Sequence, residues 1–170
     1  MAASLHMAEC QDKRETTTPI AAAELLRGHI VSHQRKFITD TNSARILWSD
    51  GVILEIADRL PLTIHSLLID TPYHTDLRTL LGEVQEQLHA EYYPARMREK
   101  SSREGYVEFE SATPKIQALV NPVYVAYIQA RYPGATVLLR GNYDPVAFTV
   151  DGQIRVLILP FKLPNDNRTH

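Results

Sequence analysis

The pair Asp151-Gly152 lies between two apolar runs, Val146–Val150 and Ile154–Leu159. A tight two-residue connection favours positive φ at both central positions, which Asp tolerates and Gly adopts freely, so the two runs are expected to pair as antiparallel neighbours. A third apolar run, Thr136–Leu139, precedes them. Before it, Asn121 and Pro122 mark a helix start. An Asn side chain can accept from a free N–H of the first turn, and a first-turn proline has no N–H to lose. Gly134, just after Arg131-Tyr132-Pro133, marks the helix end. Lys115 to Leu163 therefore reads as strand, helix and three strands.

The rest of the chain is read by the same punctuation. Met1 to Thr17 is polar, small and aperiodic, which predicts a disordered leader. It holds the single cysteine, Cys10, which excludes an internal disulfide framework and fits a reducing compartment. With no fixed base beside it, Cys10 reads as inert. Thr18-Pro19 opens a helix whose stripe is Ile20, Ala23, Leu26 and Ile30, running to about Phe37. His29 and His33 share a helical face at metal-ligand spacing, but no Glu lies between them and no third ligand is evident, so they read as polar-face residues. After a turn cluster at Asp40–Ser43, Arg45–Trp48 and Val52–Ile56 read as short strands around Ser49-Asp50-Gly51, either a turn or a bulge in one longer strand. Asp50 reads as a turn-former rather than a catalytic carboxylate. Leu60–Leu68, containing Pro61, suits an edge strand or a crossing linker.

Leu77, Leu80, Leu81, Val84 and Leu88 then fall at helical spacing, with Thr75 or Asp76 as cap and an end near Tyr92. The stripe reads as a core face before a partner interface. Pro94–Glu104 is the only basic cluster. Its Arg96, Arg98, Lys100 and Arg103 could rest non-specifically on the phosphates of double-stranded DNA, or simply form a solvated loop. Tyr106–Glu110 alternates as a half-buried strand, with Glu108 and Glu110 on its solvent-facing side.

At 170 residues, 44% hydrophobic and a formal charge of −2, one domain with a real core is expected. The domain would span 18–163, with 164–170 as a polar tail. The predicted class is α+β: two or three helices packed on one face of a mostly antiparallel sheet, with the Val146–Leu159 hairpin at its centre or near one edge. The near-neutral charge favours no partner class. Neither a secretory segment nor a membrane-length apolar run is present, so a cytoplasmic location and no membrane partner are expected. The motifs of phosphate-loop, dithiol, hydrolase-elbow and zinc-helix chemistry are missing, and no spacing couples a nucleophile to a base. No catalytic residue, metal or cofactor is assigned, and a non-enzymatic role is favoured.

One family shares this order of elements. The Asn-initiated helix with Tyr124-Val125, and the closing run Leu157-Ile158-Leu159-Pro160-Phe161-Lys162-Leu163, resemble the C-terminal domain of the bacterial DNA polymerase III beta sliding clamp. Trp48-Ser49-Asp50-Gly51-Val52-Ile53-Leu54, followed by Leu60-Pro61-Leu62, is similar to a strand turn of another clamp domain, with Val-Ile in place of the family's His-Arg. The resemblance implies a clamp-like domain that binds short peptide motifs of DNA polymerases and repair proteins. Leu157, Leu159 and Phe161 would lie on one wall of the pocket, and Gly51, Val52 and Leu54 on the other. It also implies a homo-oligomer, since closing a ring around DNA from single domains takes about six copies. A second reading stays open: a small enzyme or small-molecule-binding domain with its pocket between the 76–92 helix and the C-terminal sheet, near Tyr124, Tyr127, Arg140 and His65.

Overall fold

The computed structural model describes residues 18–33, 36–39, 45–68, 74–88 and 90–162. The expected leader with Cys10, the Asp40–Ser43 cluster and the 164–170 tail lie outside the described residues. Helix α1 (Pro19–His33) leads into strands β1 (Phe37–Thr39), β2 (Ile46–Ser49) and β3 (Ile53–Ala57). Two helices follow, α2 (Leu62–His65) and α3 (His74–Gln87). Then come β4 (Tyr93–Met97), β5 (Val107–Ser111), β6 (Ile116–Val120), α4 (Pro122–Arg131), β7 (Thr136–Leu139), β8 (Val146–Val150) and β9 (Gln153–Ile158). All nine strands join one antiparallel sheet in the order β1-β2-β3-β9-β8-β7-β4-β5-β6.

The fold is α+β, and the β8–β9 hairpin sits at its centre. Asp151 and Gly152 take φ of 52° and 73°, the doubly positive turn that their sequence favours. Asn121 Oδ1 caps α4 by accepting from the Val123 N–H at 2.9 Å, with Pro122 at the first helical position. Alternate residues of the central strands then bury opposite faces. Trp48, Ile53, Val146, Phe148, Val156 and Ile158 pack with α1, α2 and α4, while Leu47, Leu54, Ala147 and Leu157 pack with Val84 of α3 and with Leu88 just beyond it. Three helices thus share one face as expected, and the fourth covers the other.

Several boundaries differ from the sequence reading. Helix α1 stops at His33 and Phe37 begins β1; Ile20, expected in the buried stripe, is exposed. Leu60–Leu68 is neither edge strand nor plain linker, because Pro61 starts the short helix α2. Helix α3 begins at His74, ahead of Thr75 and Asp76, and ends at Gln87, so Tyr92 lies beyond it. The basic stretch does not start as a loop: Tyr93–Met97 is a strand inside the sheet. Pro94 is tolerated there because β4 pairs β7 through Tyr93–Ala95 and β5 only from Arg96 onward, so its missing N–H falls where one side carries no ladder.

The topology also shows a repeat. The segments α1-β1-β2-β3 and α4-β7-β8-β9 have the same order and meet at the antiparallel β3–β9 pair, so an approximate two-fold axis relates them. Helices α1 and α4 pack against each other over the shared face. The sequence marks both halves alike: Thr18-Pro19 and Asn121-Pro122 start the helices, and Asp50-Gly51 and Asp151-Gly152 make the turns. Leu60-Pro61-Leu62 and Leu159-Pro160-Phe161 follow the closing strands.

Candidate functional site

The segment after β9 crosses from one part of the sheet to another. The Leu159 N–H donates to the Val52 carbonyl at 2.9 Å, and the Phe161 N–H donates to the Leu119 carbonyl at 2.8 Å. Residues 159–161 thereby tie the turn before β3 to the edge strand β6. Both side chains remain exposed, Leu159 at 44% and Phe161 at 36%. The Phe161 ring lies 4.7 Å from that of Tyr106, with the Arg103 guanidinium 5.1 Å from its centroid. Beside it is a groove of about 280 Å³ whose lining includes Leu119, Gln117, Asn142 and Tyr143. Asn142 Oδ1 accepts from the Gln117 N–H at 3.0 Å, and Lys162 Nζ sits 5.8 Å from the Tyr143 centroid. Aromatic rings, aliphatic carbon and oriented amides make a surface suited to a short peptide.

The expected pocket residues divide between two environments. Leu159 and Phe161 face solvent, and Gly51 and Val52 form the half-buried turn next to Leu159. Leu54 and Leu157 are partners across β3–β9 and are buried beneath α3. They are core residues. Asp50 acts as the turn-former: its Oδ1 accepts from the Val52 and Ile53 N–H groups at 2.8 and 3.0 Å, and its Oδ2 accepts from the Tyr124 hydroxyl.

Two of the four basic-cluster cations are engaged by carboxylates. Arg96 bonds Glu110 at 3.0 Å, and Arg98 bonds Glu108 at 2.9 Å and approaches Glu110 at 3.5 Å. Arg103 stands over Tyr106 and Phe161, and Lys100 is exposed. Glu108 is buried rather than solvent-facing, because Arg98 and the Ser102 N–H, at 2.6 Å, close over its oxygens. Burial pushes the Glu108 carboxyl up, but the Ser102 and Arg98 hydrogen bonds outweigh it and hold the group below its ordinary value of 4.5. A carboxylate depressed in the folded state contributes stability that is complete above its unfolded pKa and lost as pH falls through the folded one. Thermal melts from about pH 5 to about pH 3 should therefore fall more steeply for the native chain than for Glu108→Gln. Parallel acid limbs would refute this.

A second polar centre lies under α4. Glu55 on β3 is fully buried and accepts from the Trp48 indole N–H (2.7 Å), the Tyr127 hydroxyl (2.7 Å), the Tyr132 hydroxyl (2.6 Å) and Arg131 Nε. Burial, reinforced by the Glu55 charge, pushes the Tyr132 hydroxyl up to about 12 and the Tyr127 hydroxyl higher still. Both therefore stay protonated donors. This is a satisfied structural network with no nucleophile in it.

The residues of the alternative pocket do not converge. Tyr124 is held by Asp50 and Tyr127 by Glu55, both on the α4 face. Arg140 binds Asp144 at 2.7 Å and the Gln87 amide oxygen near the end of α3, and His65 is exposed on α2. The α3 interface is filled by Val84, Leu88, Leu54 and Leu157. His29 and His33 do share a helical face, with rings 4.1 Å apart, but no group of three metal-ligating side chains occurs among the described residues. Within them, no helix is long and apolar enough to cross a membrane.

Sequence patterning located the closing segment, but not the groove at its side or the Glu55 network. The groove needs β6, Asn142 and Phe161 to meet, and the network draws on β2, β3 and α4. The one available signal was an acidic residue, Glu55, inside an otherwise apolar strand run. Comparison with family models, curated proteins and solved structures gave no match.

Proposed function

We propose that this chain is a non-enzymatic, clamp-like domain that captures short peptide motifs of replication or repair proteins at its closing segment. The observation that carries the reading is the exposed pair Leu159 and Phe161, fixed by backbone hydrogen bonds to Val52 and Leu119 beside an aromatic-lined groove. The α+β fold, with α1 and α4 side by side on one face of an antiparallel sheet, is of the class expected for such a domain. Contact with DNA has weaker support. Arg96 and Arg98 are neutralised by Glu110 and Glu108, and α1 exposes Glu24 as well as Arg27.

Fluorescence anisotropy with a labelled peptide of the Gln-x-x-Leu-Phe type tests the proposal. Saturable micromolar binding is expected, worth about 8 kcal/mol, as for small peptide–groove contacts. Phe161→Asp should weaken it at least tenfold, because a carboxylate replaces the aromatic ring at the side of the groove. Undiminished binding by a folded Phe161→Asp variant, or no binding by the native chain, would sink the assignment.

A further inference from the structure

A cleft of about 670 Å³ opens between the start of α1, the Leu60–Thr63 corner and α4. Ile20, Ala23, Leu60, Leu62 and the Tyr127 ring supply its apolar lining, and Arg59 and Arg131 line it as well. An adjoining cavity of about 540 Å³ shares Leu62 and Thr63 and adds Arg27, Glu24 and Ser66, so the depression continues as a groove over α2. Ile20 is 72% exposed and Leu62 85% exposed. A single exposed apolar side chain is ordinary, but two lining one concavity are a feature of binding surfaces. Thr63 Oγ1, within the same groove, is shielded from solvent and has no hydrogen-bond partner. Arg131 is balanced by Glu55, so Arg59 and Arg27 outweigh Glu24 and leave the groove with positive charge.

We propose that this groove docks an extended partner peptide presenting bulky apolar side chains followed by acidic residues. The apolar side chains fill the space between Ile20 and Leu62, and the carboxylates meet Arg59 and Arg27. Continuity over α2 favours an extended chain over a compact molecule. The two surfaces share no lining residue, so this site stands or falls independently of the one at Phe161.

The probe is a labelled octapeptide, Gly-Ser-Leu-Leu-Asp-Glu-Ser-Gly, with a twin carrying Lys-Lys in place of Asp-Glu, titrated by fluorescence anisotropy against the full chain. Saturable binding of the acidic peptide is expected, at least tenfold weaker in Leu62→Asp and in Arg59→Glu and unchanged in Phe161→Asp. Leu62 and Arg59 are surface positions, and circular dichroism checks that both variants stay folded. No binding by the folded chain, equal binding of the basic twin, or loss in Phe161→Asp with retention in Leu62→Asp would overturn the proposal. Binding that emerges only in a Leu5→Asp/Met7→Asp double variant would overturn the external partner and give the groove to the chain's own leading residues.

Discussion

Glu55→Ala is expected to destabilise the protein by about 3–5 kcal/mol, the scale for removing one partner of a buried ionic network. The side chain is fully buried and serves four donors: Trp48, Tyr127, Tyr132 and Arg131. Alanine would leave an indole N–H, two hydroxyls and a guanidinium without their acceptor, and would open a cavity beneath α4. For a chain of this size the melting temperature should fall by roughly 10 °C. Trp48→Phe removes a donor instead of the acceptor and leaves Glu55 three partners, so it should cost only about 1–2 kcal/mol. Chemical denaturation of both variants gives the comparison. Equal losses would show that packing of the indole, not the carboxylate hub, dominates the site.

Two leucines of the closing segment, one inside β9 and one just beyond it, should respond oppositely to the same substitution. Leu157 is 2% exposed and sits against Leu54 beneath α3, so Leu157→Asp places a carboxylate in the apolar core. Losing the buried leucine costs about 2–5 kcal/mol before the charge is counted, and the total approaches the whole stability of an ordinary domain. The variant should be largely unfolded by circular dichroism. Leu159→Asp, two residues on and facing solvent, should melt within about 0.5 kcal/mol of the native chain. It should nonetheless bind the Gln-x-x-Leu-Phe peptide more weakly. A folded Leu157→Asp would mean that α3 does not seal that face of the sheet in solution.

These contrasts show what could be read from residue order and what could not. Asp151-Gly152 and Asn121-Pro122 act through their own backbone and nearest neighbours, so the central hairpin and α4 were legible. Tyr93–Met97 was not, because Pro94 argues locally against a strand, and only its half-paired position between β7 and β5 makes it acceptable. Glu108 misled for a related reason. Alternation placed it toward water, but Arg98 and Ser102 come over it from the segment between β4 and β5. Leu54 and Leu157 have the apolar character of pocket walls, and nothing local distinguishes that from core. The presence of α3 on the second face decides it.

The pairing of Leu54 with Leu157 has a consequence for synthesis on the ribosome. The middle of the sheet joins a strand made early to one made much later, so the first half emerges with an apolar edge at β3 that nothing yet covers. Contacts this distant in sequence slow folding and prolong exposure of unpaired edges. Until β9 arrives, nascent chains carry that exposed edge, and arrest before β9 would yield a species prone to pair with its neighbours through β3.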